Sequence, residues 1–307
     1  MRIAVIGSGG VGGTFGAALA QAGADVTFVA RGAHLAAIRE RGLRVEGGRP
    51  EIVVRPAKAT DDPASIGPVD LVLFCVKLWD VESAGEAIRP IVGADTAVVP
   101  LQNGIDASSR LTPILGANAV MGGVAQVSAA IAEPGVIRQT GTLQRLVFGE
   151  MDGRASPRGE RFLALCKQAG FDAMLTGNIE RALWEKFILL VAMSSITAIT
   201  RLPVGKLRDD PDLLALYRTV MGEVLAVGRA RGVDLPDELI EKRMGDVGAF
   251  PAAGRASMAV DLERGNRIEL PWLAGKVVAL GREHGVPTPA NATIYAALKP
   301  YVNGKPG

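Results

Sequence analysis

Short apolar runs and helical patterns alternate along the first hundred residues of the chain. The run at 2–6 precedes a glycine-rich turn at 7–13, and an alanine-rich helical pattern then continues to Ala22. A second apolar run at 25–30 and a helical pattern at 33–41 follow. More elements of both kinds are expected, with strands at 42–46, 51–55, 71–76 and 96–100 and helices at 81–91 and 105–115. Strands that alternate with helices predict a mostly parallel sheet with helices on both faces.

The pattern changes twice in the rest of the chain. From 121 to 150, β-branched residues and glutamines recur around turn residues, which predicts antiparallel strands added to the edge of the sheet. Beyond Thr176 the strand signals nearly end, and helical patterns follow at 179–201, 211–231, 236–247, 252–264, 272–284 and 290–301. We therefore predict two domains, residues 1–176 and residues 177–307, of which the second is all helical.

The glycine-rich turn carries a strong chemical signal. Gly7, Gly9 and Gly12 form a GxGxxG pattern that follows a predicted strand and opens a predicted helix, which is the context of a dinucleotide site. The first glycine permits a tight turn, the second lets the backbone approach a pyrophosphate, and the third allows close helix packing. The helix N-terminus adds free N–H groups and the positive end of its dipole. We therefore interpret residues 1–176 as a Rossmann-type, doubly wound α/β domain, whose loop binds a dinucleotide through Gly7, Ser8, Gly9, Gly10, Val11 and Gly12.

The choice of cofactor depends on the residue at the end of the second predicted strand. An NAD-binding domain usually places an acid there against the ribose 2′-hydroxyl, whereas this chain has Arg31. A cation favours a 2′-phosphate, so we expect NADPH, and His34 or Lys77 could add to the anion site. The alternative is that Arg31 is a solvated surface residue. Asp25, at the start of the strand, lies too early to contact the ribose.

Composition excludes several classes of protein. The 34 Lys and Arg residues nearly balance the 32 Asp and Glu residues. A net charge of +2 argues against a protein that mainly binds nucleic acid or an anionic membrane. The apolar run at 187–200 is shorter than a membrane span, so we expect a buried helix and a cytoplasmic protein. Cys75 and Cys166 lie in no metal-binding pattern, and neither do the two histidines, which predicts buried structural thiols and no metal site.

Several further motifs, in this order and spacing, resemble those of the ketopantoate reductases, also called 2-dehydropantoate 2-reductases, a family of two-domain reductases similar to 6-phosphogluconate dehydrogenase. The resemblance covers nearly the whole chain. Its marks, besides the glycine loop, are Val76-Lys77, Gln102-Asn103-Gly104, Glu133-Pro134-Gly135, Trp184-Glu185-Lys186, Ser257-Met258 with Asp261, Gly265 with Glu269, and Gly285-Val286-Pro287-Thr288-Pro289.

The resemblance implies NADPH-dependent reduction of an α-keto acid to a 2-hydroxy acid, in a cleft between the two domains. The substrate that it implies is 2-dehydropantoate, in pantothenate biosynthesis. By position, Lys186 and Glu269 resemble the catalytic residues of the family. The implied substrate contacts are Ser257, Asn103, Ser194 and Asp261, and the implied cofactor contacts include Lys77 and Asn103.

The chain departs from the family pattern at three positions. The family usually has asparagine four and eight residues after the catalytic lysine and again in a following Pro-Asn-Gly turn, whereas this chain has Leu190, Ser194 and Val204. Sites built on hydrogen bonds discriminate strongly by such pairing, so the substituent of the keto acid is expected to be more apolar. Arg201 or Ser194 is a candidate replacement contact for the substrate carboxylate.

A lysine supplies what ketone reduction requires. Hydride transfer to a carbonyl carbon leaves negative charge on oxygen, so the site needs a nearby proton donor and an electrostatic partner. Partial burial would lower the pKa of Lys186 toward the working pH. Adjacent helix residues diverge, so Glu269 is a better partner for Lys186 than Glu185. Two alternatives stay open, a related reductase of another keto acid and a non-catalytic NADPH sensor, and the Ala- and Gly-rich helices leave a homodimer possible.

Overall fold

The computed structural model describes residues 1–306. The chain forms two compact units, Met1–Glu180 and Arg181–Gly307, which we call the N-terminal and C-terminal units. The sequence placed the corresponding boundary after residue 176. The N-terminal unit contains all ten strands of the described residues, namely β1 Arg2–Ile6, β2 Asp25–Val29, β3 Leu43–Gly47, β4 Ile52–Val54, β5 Lys58–Thr60, β6 Val69–Phe74, β7 Val92–Pro100, β8 Met121–Glu133, β9 Val136–Glu150 and β10 Asp172–Leu175.

One sheet has the Rossmann-type order. Its five parallel strands lie in the order β5-β2-β1-β6-β7, so the chain builds outward from β1 in one direction and then returns to the other side of β1. The helices of this unit are α1 Gly10–Gln21, α2 Gly32–Arg41, α3 Val81–Ile88, α4 Ala107–Leu115 and α5 Pro157–Gln168. The predicted doubly wound α/β domain is thereby confirmed. In such sheets ligands bind beyond the carboxyl ends of the strands, where the strand order reverses, which here is between β1 and β6.

A second sheet differs from the prediction. Strands β3 and β4 were expected in the parallel sheet, but they pair antiparallel with each other, and β3 pairs with β9 in a separate sheet of order β10-β9-β3-β4. Strand β8 pairs antiparallel with β9 in the same sheet, as a long hairpin. The hairpin was expected at the edge of the first sheet, but the pairing there is the single bridge from Val98 to Val120, the residue before β8.

Helix α1 packs against both sheets because it presents glycine at the contact points. A Cβ on Gly16 would lie 2.8 Å from side-chain atoms of Val5 and Phe28 in the first sheet. A Cβ on Gly13 would lie 2.8 Å from Ile137 of β9 in the second sheet. The close packing of this helix therefore depends on the absence of side chains.

The C-terminal unit is helical, and residues 181–306 contain no strand. Its first helix, α6, starts at the end of the N-terminal unit. The helices are α6 Ile179–Thr200, α7 Val204–Arg208, α8 Pro211–Ala230, α9 Leu239–Ala249, α10 Ser257–Glu263, α11 Ala274–His284 and α12 Pro289–Leu298. The prediction of an all-helical second half is confirmed, although α10 is shorter than the pattern at 252–264 indicated.

Helix α6 has the length and composition of a membrane span. It has 22 residues with a mean hydropathy of 1.6 over its apolar window, and within residues 1–306 no other helix meets these criteria. However, 61% of that window is buried inside the protein. Trp184 of α6 packs edge-on against Phe187 at 5.7 Å and contacts the helix α8 at Gly228, where a Cβ would lie 2.7 Å from the indole. These contacts support the prediction of a buried core helix.

Candidate active site

The three glycines of the GxGxxG pattern each have a distinct reason to lack a side chain. Gly7 has a φ of +92°, and a Cβ there would lie 2.9 Å from the backbone of Cys75 at the end of β6. A Cβ on Gly12 would lie 2.9 Å from Val5, so this glycine allows α1 to approach β1. Gly9, in contrast, has no atom within 4 Å of its Cβ position. The space next to Gly9 is therefore open to a ligand, as a pyrophosphate site requires.

The residues between these glycines contribute backbone rather than side chains. The hydroxyl of Ser8 is buried and donates to Val29 O at 3.0 Å, so it faces the protein. A Cβ on Gly10 would overlap Ala129 O of β8, so this glycine serves the packing of the hairpin. The first intrahelical bond runs from Gly13 N to Gly9 O at 2.7 Å. The amides of Gly10 and Val11 precede it and belong to the unpaired N–H groups of a helix N-terminus.

Arg31 and His34 follow the end of β2. Arg31 lies at the N-cap of α2 with an exposed side chain, in the place where the sequence predicts a contact to a 2′-phosphate. The ring of His34 is held on both sides by backbone, because Nε2 lies 2.9 Å from Ser8 O and Nδ1 accepts from Gly135 N at 3.0 Å. The expectation that His34 adds to the anion site was therefore wrong, because both ring nitrogens are used within the protein.

Lys77 and Asn103 follow the ends of β6 and β7, on the other side of β1 from Arg31. Two strand spacings separate β6 from β2, about 10 Å, so Lys77 and Arg31 do not share one phosphate. The amine of Lys77 lies 5.5 Å from the ring centroid of Trp79, within range of a cation–π interaction. Lys77 therefore stays a candidate cofactor contact at the nicotinamide side rather than at a 2′-phosphate.

Gln102, which the sequence analysis named only as part of the Gln102-Asn103-Gly104 motif, is a positioning residue at this edge. Its buried amide donates from Nε2 to Phe74 O at 2.9 Å and to Val76 O at 3.1 Å. These bonds tie the end of β7, which carries Asn103, to the turn that carries Lys77. The signal was a glutamine that directly follows the apolar strand.

The residues at this edge fit a dinucleotide. The open space at Gly9, the amides at the start of α1 and the cation at the end of β2 occur in the order in which a Rossmann domain meets pyrophosphate and ribose. Within residues 1–306, no group of three or more His, Cys, Asp or Glu side chains is arranged to hold a metal ion.

Lys186 and Glu269 interact in the C-terminal unit. Burial lowers the pKa of Lys186 to about 8, and the charge of Glu269 acts in the opposite direction. Glu269 is 7% exposed and lies between the fully buried Ile268 and Leu270, so its carboxylate is largely shielded from solvent. An amine with this pKa is an efficient general acid near neutral pH.

Glu185 faces another direction than Lys186. Its carboxylate accepts from Arg181 Nε at 3.0 Å and from Arg243 of α9 at 3.0 Å. The helix geometry predicts this divergence, because side chains of adjacent residues lie about 100° apart around the axis. Glu185 therefore anchors α6 to α9 and leaves Glu269 as the carboxylate that acts on Lys186.

Comparison with known proteins identifies the family. Residues 3–153 match the family described as ketopantoate reductase PanE/ApbA, and residues 178–302 match its C-terminal part. The chain is 33% identical over 297 residues to the 2-dehydropantoate 2-reductase of Halobacterium salinarum, which covers 96% of each chain. The chain belongs to the ketopantoate reductase family. It is thus an oxidoreductase of a family that acts on CH–OH groups.

Solved structures agree with this assignment. The 2-dehydropantoate 2-reductase of Geobacter metallireducens GS-15 is 30% identical with a TM-score of 0.92, covering 97% of this chain and 99% of that one. A PanE/ApbA family ketopantoate reductase of Ralstonia eutropha JMP134 is 35% identical with a TM-score of 0.90, covering 98% of both chains. D-mandelate dehydrogenase, solved with NADH and anilino(oxo)acetate, shares the fold at 19% identity, with a TM-score of 0.90 and 98% of both chains covered.

Three of the four substrate positions predicted by likeness to ketopantoate reductases lie in the C-terminal unit, and Asn103 lies in the N-terminal unit. Ser194 is buried on α6, two turns after Lys186. Ser257 is the exposed first residue of α10, and Asp261 follows one turn later on the same helix. Asp261 also accepts from Asn266 Nδ2 at 3.2 Å, which holds the turn after α10. The roles of these four residues in binding substrate stay predictions.

Arg201 lies too far from Lys186 to hold the carboxylate of the same keto acid. It directly follows α6, with an exposed side chain and a left-handed φ of 58°. Fifteen residues of α-helical rise separate it from Lys186, which is about 22 Å along the axis. The suggestion that Arg201 replaces a carboxylate contact of the ketopantoate reductases was therefore wrong. Its backbone ends the helix in the conformation that glycine usually adopts there.

Proposed function

We propose that this protein uses NADPH to reduce an α-keto acid to a 2-hydroxy acid, and that 2-dehydropantoate, reduced to pantoate, is its substrate. The observation that carries the proposal is the pair of Lys186 and Glu269. Lys186 lies on a largely buried helix, and burial lowers its pKa to about 8. The charge of the buried Glu269 stabilises its protonated form. Three relatives that are 32–33% identical and match over nearly the whole chain are named as 2-dehydropantoate 2-reductases.

The chemistry assigned to the chain is proton transfer and charge stabilisation. When NADPH is bound, it supplies the hydride that forms the new C–H bond at the ketone carbon. Lys186 donates a proton from Nζ to the carbonyl oxygen, which becomes the hydroxyl group, and its neutral amine then takes a proton from solvent. The ammonium group also stabilises negative charge on that oxygen during transfer. Glu269 favours the protonated amine and so keeps the acid form populated.

NADPH is preferred to NADH in this proposal because of Arg31. A guanidinium at the end of β2 can pair with a 2′-phosphate, whereas it has no such partner in NADH. We expect Arg31→Asp to weaken NADPH binding and leave NADH binding comparable, as measured by calorimetric titration. Equal affinities of the wild-type protein for both cofactors would contradict the preference.

A second substrate class is favoured by the positions on α6 and α7. Leu190 and Val204 stand where the family usually has asparagine, and Val204 is buried. An apolar side chain cannot form a hydrogen bond with a polar substituent of the substrate. Affinity should therefore be lost for keto acids that carry a hydroxyl group. An α-keto acid with an alkyl or aryl substituent is therefore the alternative substrate.

A substrate panel decides between the two classes. Oxidation of NADPH is followed by absorbance with 2-dehydropantoate, with the matched 2-oxoisovalerate that lacks its hydroxymethyl group, and with phenylpyruvate. The highest kcat/KM for 2-dehydropantoate supports the proposal, and a higher value for the two apolar acids assigns the alternative. Leu190→Asn is the matched variant, and it should shift the ratio toward 2-dehydropantoate. NADPH binding without any turnover would favour a non-catalytic sensor.

The setting of the reaction is part of the proposal. The balanced charge and the largely buried α6 support a protein that acts in the cytoplasm. We assign it to pantothenate biosynthesis if the panel selects 2-dehydropantoate. Size-exclusion chromatography with light scattering tests the homodimer that the Ala- and Gly-rich helices suggest.

A further inference from the structure

The imidazole of His34 links two segments that are distant in the sequence. It lies in the first turn of α2, three residues after Arg31, and is half-buried. On one side Nε2 is 2.9 Å from the carbonyl oxygen of Ser8 in the glycine loop. On the other side Nδ1 is 3.0 Å from the amide of Gly135, in the turn between β8 and β9. His34 therefore connects the glycine loop to the hairpin turn.

The two partners determine the tautomer of the ring. A backbone N–H can only donate, so Nδ1 accepts from Gly135 and carries no proton. A carbonyl oxygen can only accept, so Nε2 carries the proton and donates it to Ser8. The ring is thus neutral and uses its whole hydrogen-bonding capacity on the backbone. It leaves no ring nitrogen for a phosphate.

The bond to Ser8 fixes the direction of the next amide. In a trans peptide the C=O of one residue and the N–H of the following residue point in opposite directions. With Ser8 O directed at His34, the N–H of Gly9 points away from the ring. A Cβ on Gly9 would have no atom within 4 Å, so the space beside this residue is open.

The other polar groups of Ser8 leave little freedom for this peptide to rotate. Its N–H donates to Val29 O at 3.1 Å, and its hydroxyl donates to the same oxygen at 3.0 Å. On the far side, Gly9 O accepts from Gly13 N at 2.7 Å. His34 completes this set because it is the partner of Ser8 O.

We propose that His34 is a positioning residue for the cofactor: by holding the Ser8–Gly9 peptide, it presents the Gly9 amide to the pyrophosphate of the bound dinucleotide. This inference rests on the proposed use of NADPH. The pyrophosphate is common to NADPH and NADH, so the effect of His34 applies equally to both. Arg31 acts on the 2′-phosphate, which only NADPH carries.

Two substitutions separate the two bonds of the ring. Glutamine places an amide nitrogen near the position of Nε2, so His34→Gln keeps the bond to Ser8 and loses the bond to Gly135. Asparagine places an amide oxygen near the position of Nδ1, so His34→Asn keeps the bond to Gly135 and loses the bond to Ser8. Each variant is therefore the matched control of the other.

The test is calorimetric titration of both variants with NADPH and with NADH, beside thermal unfolding. We expect His34→Asn to raise Kd about tenfold for both cofactors, the size of one hydrogen bond, and to leave the ratio of the two Kd values unchanged. His34→Gln keeps the bond to Ser8, so its Kd should stay within about twofold of the wild-type value. Arg31→Asp, in contrast, should change the ratio.

Three results are distinguishable from this expectation. If both variants bind the cofactors like the wild type and only their Tm falls, His34 is a structural link and the inference is wrong. If both variants weaken binding equally, the bond to Ser8 is not the cause, and the inference is again overturned. If the wild-type protein itself binds neither cofactor, the proposed function fails.

Discussion

At the scale of single residues, Lys186 combines two opposing influences. Burial lowers the pKa of its amine to about 8, while the nearby charge of Glu269 prevents a further decrease. The amine is the proton donor only in its charged form. The catalysed rate should therefore be highest below the pKa and fall as the pH rises through about 8.

Replacement of the amine tests this role directly. We expect Lys186→Ala to lower kcat by about a hundredfold or more, the range that a general acid contributes, and to remove the decline in kcat above pH 8. Steady-state kinetics between pH 6 and 10 measures both effects. Calorimetric titration should show unchanged NADPH binding, because Lys186 is not among the predicted cofactor contacts. A variant with near wild-type kcat would exclude Lys186 as the acid.

Removal of the neighbouring charge should shift the same titration. Since Glu269 raises the pKa of Lys186, Glu269→Gln should lower it, and the decline in kcat should begin at lower pH. Glu185→Gln is the matched control, because Glu185 is adjacent in sequence but bonds to Arg181 and Arg243. Equal shifts of the pH profile in both variants would contradict the assignment of Glu269 as the partner.

The sequence predicted candidate residues better than it predicted their contacts. The glycine loop was proposed because its motif lies in a recognisable local context, whereas Lys186 and Glu269 were proposed through the resemblance to the ketopantoate reductases. The bonds of His34 and Gln102 were missed because their partners are backbone groups from segments up to 101 residues away. Such contacts depend on the pairing of distant strands, which no local pattern encodes.

At the scale of elements, the first turn of α1 separates ligand binding from packing. Gly9 borders open space and has a φ of −77°, which any residue adopts, whereas Gly10 lies against the backbone of Ala129 in β8. We expect Gly9→Ala to keep the wild-type Tm and to weaken NADPH binding. Gly10→Ala should lower Tm by several degrees, because β8 must move. Thermal unfolding and calorimetric titration distinguish the two, and a loss of Tm in Gly9→Ala would contradict this division.

Elements with strong periodicity were predicted closely, but the second sheet that some of the strands form was not. The pattern at 179–201 corresponds to α6 at Ile179–Thr200, and the pattern at 25–30 to β2 at Asp25–Val29. Strand β5 was missed because only Thr60 of its three residues is β-branched, whereas all three residues of the equally short β4 are. Strands β3 and β4 were found, but alternation over five residues does not specify which sheet a strand joins.

At the scale of the whole molecule, stability depends on a buried ion pair that joins the two sheets. Arg158 of α5 donates to both carboxylate oxygens of Glu150 in β9, at 2.8 and 2.7 Å, and to Thr96 O in β7 at 3.1 Å. Burial favours a raised pKa for Glu150, but the bonds from Arg158 and Ser156 outweigh it, and the pKa of this carboxyl is lowered. The folded protein therefore binds this proton more weakly than the unfolded chain, so stability is lost as the pH falls below about 4.5.

Loss of the arginine should change both the magnitude and the pH dependence of stability. We expect Arg158→Met to cost about 3–5 kcal/mol at pH 7, because it leaves the buried Glu150 carboxylate with the bond from Ser156 and without its charged partner. Protonation of Glu150 removes its buried charge and with it much of this cost. The variant should therefore lose less stability than the wild type between pH 7 and pH 4. Urea unfolding at both values measures this. Arg138→Met is the control, because its partner Glu46 is more exposed to solvent, and a decrease as large as that of Arg158→Met would contradict the argument.

Because Trp79 lies next to Lys77, its indole can serve as an intrinsic fluorescent reporter of cofactor binding. Trp79 is the one tryptophan in residues 1–180, and Trp184 and Trp272 lie in the helical half of the chain. With those two changed to phenylalanine, the remaining indole emits from the edge of the sheet at which the nicotinamide is expected. Its emission overlaps the absorption band of a reduced nicotinamide, so energy transfer would register each binding event without a label. The cation over its ring adds a local electric field, and a spectral shift would then report when Lys77 leaves the indole.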